Sequence, residues 1–178
     1  MTLRVGRLLC VGIRGSRPGE AVLERDLDAC HEAGIGSVIL FDVDVPAARS
    51  LQQEGLDPER AAERSPRNII DADQLTGLIV HVRERLGEDV LICVDQEGGR
   101  VARLSPRRGF EVDPSAAEFG NLDPTERRRA ALRQARRLRS LGFDLNFAPC
   151  VDLALDPQNQ IIVRSGRSFG ADADTVVE

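Results

Sequence analysis

The chain contains no lysine, no tryptophan and no tyrosine, and only six phenylalanines and two histidines among 178 residues. Each shortage removes a class of chemistry. Without lysine there is no Schiff-base amine and no phosphate-loop lysine. With so few aromatics, a stacking platform for bases or sugar rings is not built from this chain alone. The four cysteines, Cys10, Cys30, Cys93 and Cys150, form no C-x-x-C pair, so they read as buried reduced thiols and not as a metal cluster or a disulfide framework. No apolar run approaches membrane-spanning length. The N-terminus has no long apolar region followed by a small-residue cleavage site, so a soluble, cytoplasmic protein is expected. The net charge of -5 argues against nucleic acid as the main partner.

What is present is an alternation of short apolar runs and helical patterns. Strands are expected at Leu8 to Ile13, Ser37 to Phe41, Val90 to Val94 and Leu145 to Val151. Helices are expected between them. Leu23, Leu27 and Cys30 fall at helical spacing before Gly34. Leu75, Leu78, Ile79, Val82 and Leu86 follow a cap at Asp71 or Asp73 and precede Gly87. Asp123-Pro124-Thr125-Glu126 supplies a cap, a first-turn proline and the acid of a capping box. Its helix runs to Leu141, with Leu132, Ala135 and Leu138 toward the sheet. Asp172 or Asp174 opens a fourth helix. The polar, proline-bearing passage from Asp42 to Asn68 reads as an inserted loop.

Strands alternating with helices imply a parallel α/β sheet of about four βα units. That is half of a (β/α)8 barrel or the core of a doubly wound sheet. The strand ends favour the barrel, because each carries a polar residue: Arg14, Asp42, Asp95 and Asp152. In a (β/α)8 barrel those ends form the active-site rim. The densest cluster follows the third strand. There Asp95-Gln96-Glu97 leads into Gly98-Gly99, then Arg100 and Arg103. A carboxylate at such a rim accepts from two hydroxyls, and a guanidinium fork donates to others.

The segment VDQEGGRVARL resembles the signature of glycoside hydrolase family 3, in its bacterial β-N-acetylhexosaminidase branch. Further blocks resemble the family in order: GRLLCVGIRG and GIGSVILF for the first two strands, RNIIDADQL for the second helix, LGFDLNFAPCVDL for the fourth strand, and RSGRSFGADAD for the following loop. The resemblance implies a TIM-like barrel of which this chain is the N-terminal half. It implies that Asp95 bonds hydroxyls of the non-reducing sugar and that Arg103 and Arg167 reach the same subsite. Glu97, Arg100 and Asp152 stand as further rim residues, Glu97 in a structural hydrogen bond and Asp152 bonding loop backbone. Gly98-Gly99 would let the backbone turn under the ligand.

The implied activity is release of a terminal β-linked sugar, N-acetylglucosamine, with retention, and without metal or organic cofactor. A β-glucosidase of the same family is the alternative. The family's acid/base, a His in a Lys-His-Phe-Pro-Gly-His-Gly loop, and its Asp nucleophile match nothing here. His31 and His81 lie inside expected helices, so no residue of this chain is assigned a catalytic role and the chain alone is expected to be inactive. A reading of another class is a non-catalytic half-barrel that binds sugar or self-associates. Half a barrel leaves two strand edges open, so either a homodimer or the missing C-terminal half is expected to cover it. The arginines at 127–129, 133, 136, 137 and 139 suggest a nucleic-acid helix. The acidic total and the missing aromatics favour a solvated outer helix.

Overall fold

A computed structural model describes residues 5–177. Six short strands and seven α-helices are formed by the described residues. They are β1 (Cys10–Gly12), α1 (Ala21–Ala33), β2 (Ser37–Ile39), α2 (Val45–Gln53), α3 (Pro58–Glu63), α4 (Ala72–Leu86), β3 (Leu91–Val94), β4 (Gln96–Gly98), β5 (Val101–Ala102), α5 (Ala116–Gly120), α6 (Pro124–Leu141), β6 (Leu145–Asn146) and α7 (Ala173–Val177). The strands β1, β2, β3 and β6 form one parallel sheet in that order, each joined to the next through a helical crossover. A small antiparallel hairpin, β4–β5, stands beyond β3.

One face of the sheet is the core. Val38, Ile92, Ile13, Leu40 and Val94 point to the helices and meet Leu23, Leu27, Leu75, Leu78, Val82 and Leu138. The opposite rows, Cys10–Ser37–Leu91 and Gly12–Ile39–Cys93–Leu145, follow from the strand register. Most of these residues are open or half-open. Four parallel strands in sequential order, each followed by a helix, are the arrangement of one half of a (β/α)8 barrel wall.

Caps set the helix ends. Asp71 accepts from the Gln74 N–H at 2.8 Å, Asp123 from Thr125 and Glu126, and Asp172 from Thr175. The reciprocal capping box is absent at Asp123 and is built instead at Ser115 and Glu118. The first two long helices end at Gly34 and Gly87, both at positive φ. No helix among the described residues is long and apolar enough to cross a membrane.

The structure corrects four expectations. The passage from Asp42 to Asn68 is not a loop: it holds α2 and α3. Asp44 and Asp57 cap them, each accepting a backbone N–H at 3.0 Å, and a proline lies in each first turn. The strands are shorter than their apolar runs, and β1 is an open edge of the sheet with Leu8 and Leu9 exposed. Cys10 is exposed and Cys150 half-buried, so only Cys30 and Cys93 are buried thiols. On α6 the buried stripe is Ala130, Leu138 and Leu141, while Leu132 and Ala135 face solvent. Two arginines explain that rotation. Arg137 turns inward to Asp113, and Arg127 donates to the carbonyls of Leu122 and Gly120.

Candidate active-site rim

The C-terminal ends of β2, β3 and β6 meet the β4–β5 hairpin, and the polar side chains of the sequence motif collect there. Asp95 follows β3 directly. It accepts from Arg103 Nη2 at 3.0 Å, and both side chains are partly open. Asp42, past the end of β2, lies 3.9 Å from the other Arg103 nitrogen. Asp42 is buried, and burial raises its carboxyl above the ordinary range, against the opposing pull of Arg103. One guanidinium thus faces two carboxylates of different character, one at the opening and one behind it. The Arg103 Nε is buried and makes no hydrogen bond among the described residues.

Phe41 supplies the floor. The Arg67 and Arg103 guanidinium carbons lie 5.0 and 5.6 Å from its ring centroid, within cation–π range. Phe41 and Arg67 also lie over Gly12, where a Cβ would press on both. Arg67 is tied down through its Nε to the Ile13 carbonyl at 2.9 Å. Beside it Asn68 donates to the carbonyls of Ile13 and Gly15 and accepts from the Phe41 N–H. That one amide locks the ends of β1 and β2 together.

The hairpin is held by a buried glutamine. Gln96 accepts from the Leu104 N–H at 2.9 Å and donates to Asp113 at 2.7 Å. Asn146 at the end of β6 both donates to and accepts from the Gln96 backbone. Gly98 and Gly99 have φ of 97° and 56°. Their missing side chains make room for the chain itself: a Cβ on Gly98 would overlap the Pro114 carbonyl, and one on Gly99 would overlap Ser115. The glycine pair therefore serves a close approach to the 113–115 segment.

Glu97 grips Arg167. Both carboxylate oxygens accept, from Nε and Nη2, each at 2.7 Å. This hydrogen bonding, ahead of the burial that opposes it, raises the Arg167 pKa above its ordinary value. The pair pins the segment 147–170 to the hairpin and leaves Arg167 Nη1 without a partner among the described residues. Arg100 is exposed at the hairpin tip and makes no ion pair or side-chain hydrogen bond among the described residues. Arg108, by contrast, is buried and satisfies the carbonyls of Asp42, Ala62 and Glu63. It joins α3 to the end of β2.

Of the residues expected at the rim, Asp95 and Arg103 are brought into contact, and Glu97 and Arg167 form a second pair beside them. Asp152 bonds the loop through its main-chain carbonyl, which accepts from Ser168 at 2.7 Å, while its carboxylate receives only the Cys150 thiol among the described residues. Arg14 does not belong to the rim. It folds outward onto Asp26 of α1 in a bidentate pair. Asp42, Phe41 and Arg67 are the contributors not assigned from the sequence. The polar strand end pointed to the first; the other two carried no signal beyond adjacency to it. A neighbouring cleft of about 290 Å³, lined by Phe119, Ala130, Ala131, Pro149 and Phe169, touches Glu97 and Asn146 but not the Asp95–Arg103 pair.

Comparison with known proteins agrees with this geometry. A beta-hexosaminidase of Histophilus somni (strain 129Pt) is 34% identical over 150 residues, covering 80% of this chain and 41% of its own length. One from Haemophilus ducreyi is 41% identical over 110 residues, 58% of this chain and 30% of its own. Among solved structures, a glycoside hydrolase family 3 beta-N-acetylglucosaminidase from Paenibacillus sp. str. FPU-7 superimposes with a TM-score of 0.73 at 28% identity. It covers 99% of this chain and 29% of its own. Native NagZ from Neisseria gonorrhoeae gives 0.64 at 25% identity, covering 94% of this chain and 42% of its own. The chain thus spans well under half the length of these relatives. The first strand precedes the matched family residues but is covered by the structural superposition. Residues 24–178 match the glycosyl hydrolase family 3 N terminal domain, and the chain belongs to that family.

Proposed function

We propose that this chain carries part of the substrate subsite of a retaining β-N-acetylhexosaminidase, one that releases terminal β-linked N-acetylglucosamine. The observation that supports this reading is the Asp95–Arg103 pair at the sheet's C-terminal rim, held on strand ends and backed by buried Asp42. Asp95 offers acceptors and Arg103 donors to adjacent hydroxyls of one sugar ring. Arg100 and the spare Nη1 of Arg167 add donors at the edge. The supporting groups are fixed by packing and by second hydrogen bonds, as a pre-organised site requires.

The chain by itself binds without turning over. Retention needs a carboxylate nucleophile at the anomeric carbon and a separate acid for the leaving oxygen. Asp95 and Asp42 both face Arg103, Glu97 is occupied by Arg167, and His81 sits on α4, 2.8 Å from Glu24. None is free for either task. The test is titration of the 178-residue chain with N-acetylglucosamine, followed by amide chemical shifts. Saturable shifts at Asp95, Arg103 and the hairpin are expected, absent in Asp95→Ala. Equal response to glucose would favour the β-glucosidase alternative. No response to either sugar would overturn the assignment, as would turnover of an aryl β-N-acetylglucosaminide that Asp95→Ala abolishes.

A further inference from the structure

The crossover from β2 to α4 leaves the rim and returns to it at one point. Val43 and Pro66 form an antiparallel bridge. The Asp44 N–H donates to the Ser65 carbonyl at 2.8 Å, and the Arg67 N–H to the Asp42 carbonyl at 3.4 Å. Arg108 secures this neck from the other side, donating through Nη2 to the Asp42 carbonyl at 2.8 Å and to the Ala62 carbonyl at 3.0 Å. The Asp42 main chain is thus tied down from both sides. Its side chain is treated differently. It is 4% exposed, makes no side-chain hydrogen bond among the described residues, and faces Arg103 Nη1 at 3.9 Å. A buried carboxylate without hydrogen bonds is costly to the fold. Such costs gather where a site needs the charge.

We infer, on the sugar-subsite reading above, that Asp42 is a positioning residue for Arg103: its charge keeps the guanidinium in place while Asp95 turns to sugar hydroxyls. Arg103 needs such a hold. Its Nε is buried without a hydrogen bond among the described residues. Stacking on Phe41, 5.6 Å from the ring centroid, fixes the plane of the guanidinium more than its place over the ring. Asp95, its hydrogen-bonded partner, is partly open and is the group that a hydroxyl would engage. Once that bond is shared, Asp42 is the carboxylate that remains beside Arg103, and burial leaves its charge weakly screened. The hold is also titratable. Arg103, just past β5, and Arg107 and Arg108, in the turn beyond it, face the Asp42 carboxylate and favour its ionised form, but burial outweighs them and raises its pKa. Asp95 stands across Arg103 from it. As pH falls through the raised value, Asp42 takes up a proton and its grip on Arg103 weakens.

Side-chain NMR of the 178-residue chain tests this, with Asp42→Asn as the variant because it removes the charge and keeps the shape. The Arg103 Nε–H signal, identified by its loss in Arg103→Lys, reports the order of the guanidinium with no sugar present. In the wild type it should be ordered at about pH 7 and loosen toward about pH 4. In Asp42→Asn it should be mobile at both. The Arg167 Nε–H, held by Glu97, should be the same in both proteins at about pH 7. N-acetylglucosamine should bind Asp42→Asn about tenfold more weakly than wild type at that pH. An Arg103 signal as ordered in Asp42→Asn as in the wild type would overturn the inference. Equal loosening of Arg103 and Arg167 would do the same, since it marks a general loss of structure, as would a mobile Arg103 with wild-type sugar affinity. If the wild type binds no sugar while Arg103 alone loosens in Asp42→Asn, the subsite reading falls and the positioning role stands.

Discussion

The Glu97–Arg167 pair is the strongest link between the hairpin and the 147–170 segment, and a double-mutant cycle measures it. Glu97→Ala, Arg167→Ala and the double variant are the perturbations. The Glu97 side chain is 9% exposed and that of Arg167 25%, so removing either leaves a largely buried charge unmatched. Breaking a fully buried pair costs about 3–5 kcal/mol. The solvent-facing quarter of Arg167 lowers this, to about 2–3 kcal/mol for each single variant. The double variant leaves no orphaned charge, so its loss should fall short of the sum by about 1.5–3 kcal/mol. Urea unfolding followed by far-UV circular dichroism is the assay, since the chain has no Trp or Tyr for fluorescence. Hydrogen exchange then localises the effect. The Arg164 and Arg167 amides, which donate to Asn159 and Ile162, should lose protection before those of α4. Additive losses, with coupling below about 0.5 kcal/mol, would refute the claim that this pair docks the segment.

Two further outcomes are expected. Gln96→Leu strands the Leu104 N–H and should cost about 1–3 kcal/mol, whereas Gln96→Glu sets a second carboxylate against Asp113 and should cost more; urea midpoints in the opposite order would reject the clamp. For Asp42, burial raises the folded-state pKa, so folding takes up a proton: its contribution favours the fold below the ordinary value of about 3.9 and declines as pH rises through the raised one. Asp42→Asn removes that decline, so its stability relative to wild type should improve as pH rises from about 4 to 7, and a gap that stays flat or widens the other way refutes the assignment.

What was legible in the chain followed from how local each signal is. The helices α1, α4 and α6 announced themselves through caps and glycines a few residues away, and Gly34, Asp71, Gly87 and Asp123 occupy those places. The same Asp-Pro signal stood at Asp57-Pro58, but α3 is six residues long and shows no apolar period to confirm it. Its stability comes from Arg108, which bonds the last carbonyls from 45 residues downstream, and no window on the sequence contains both. The phase of α6 was misjudged for a like reason. Seven arginines hide the apolar stripe, and which of them turn inward depends on Asp113 and on free carbonyls outside the helix.

The site divides in the same way. Asp95 and Arg103 were placed together through the resemblance of their segment to the family motif, and in the structure the β4–β5 hairpin with its glycine turn brings the two side chains into contact. Arg14 misled because it too ends an apolar run. Its guanidinium had a nearer acceptor in Asp26, and bidentate pairing there outweighs exposure at the rim. Asp42, Phe41 and Arg67 converge only because β2 lies beside β3 and the barrel wall curves. Polarity at strand ends is therefore a sign of a rim only where the side chain finds no partner on the helices behind it. That condition separates Asp95 from Arg14, and it is met as well by Arg100 at the hairpin tip, which is exposed and makes no ion pair or side-chain hydrogen bond among the described residues.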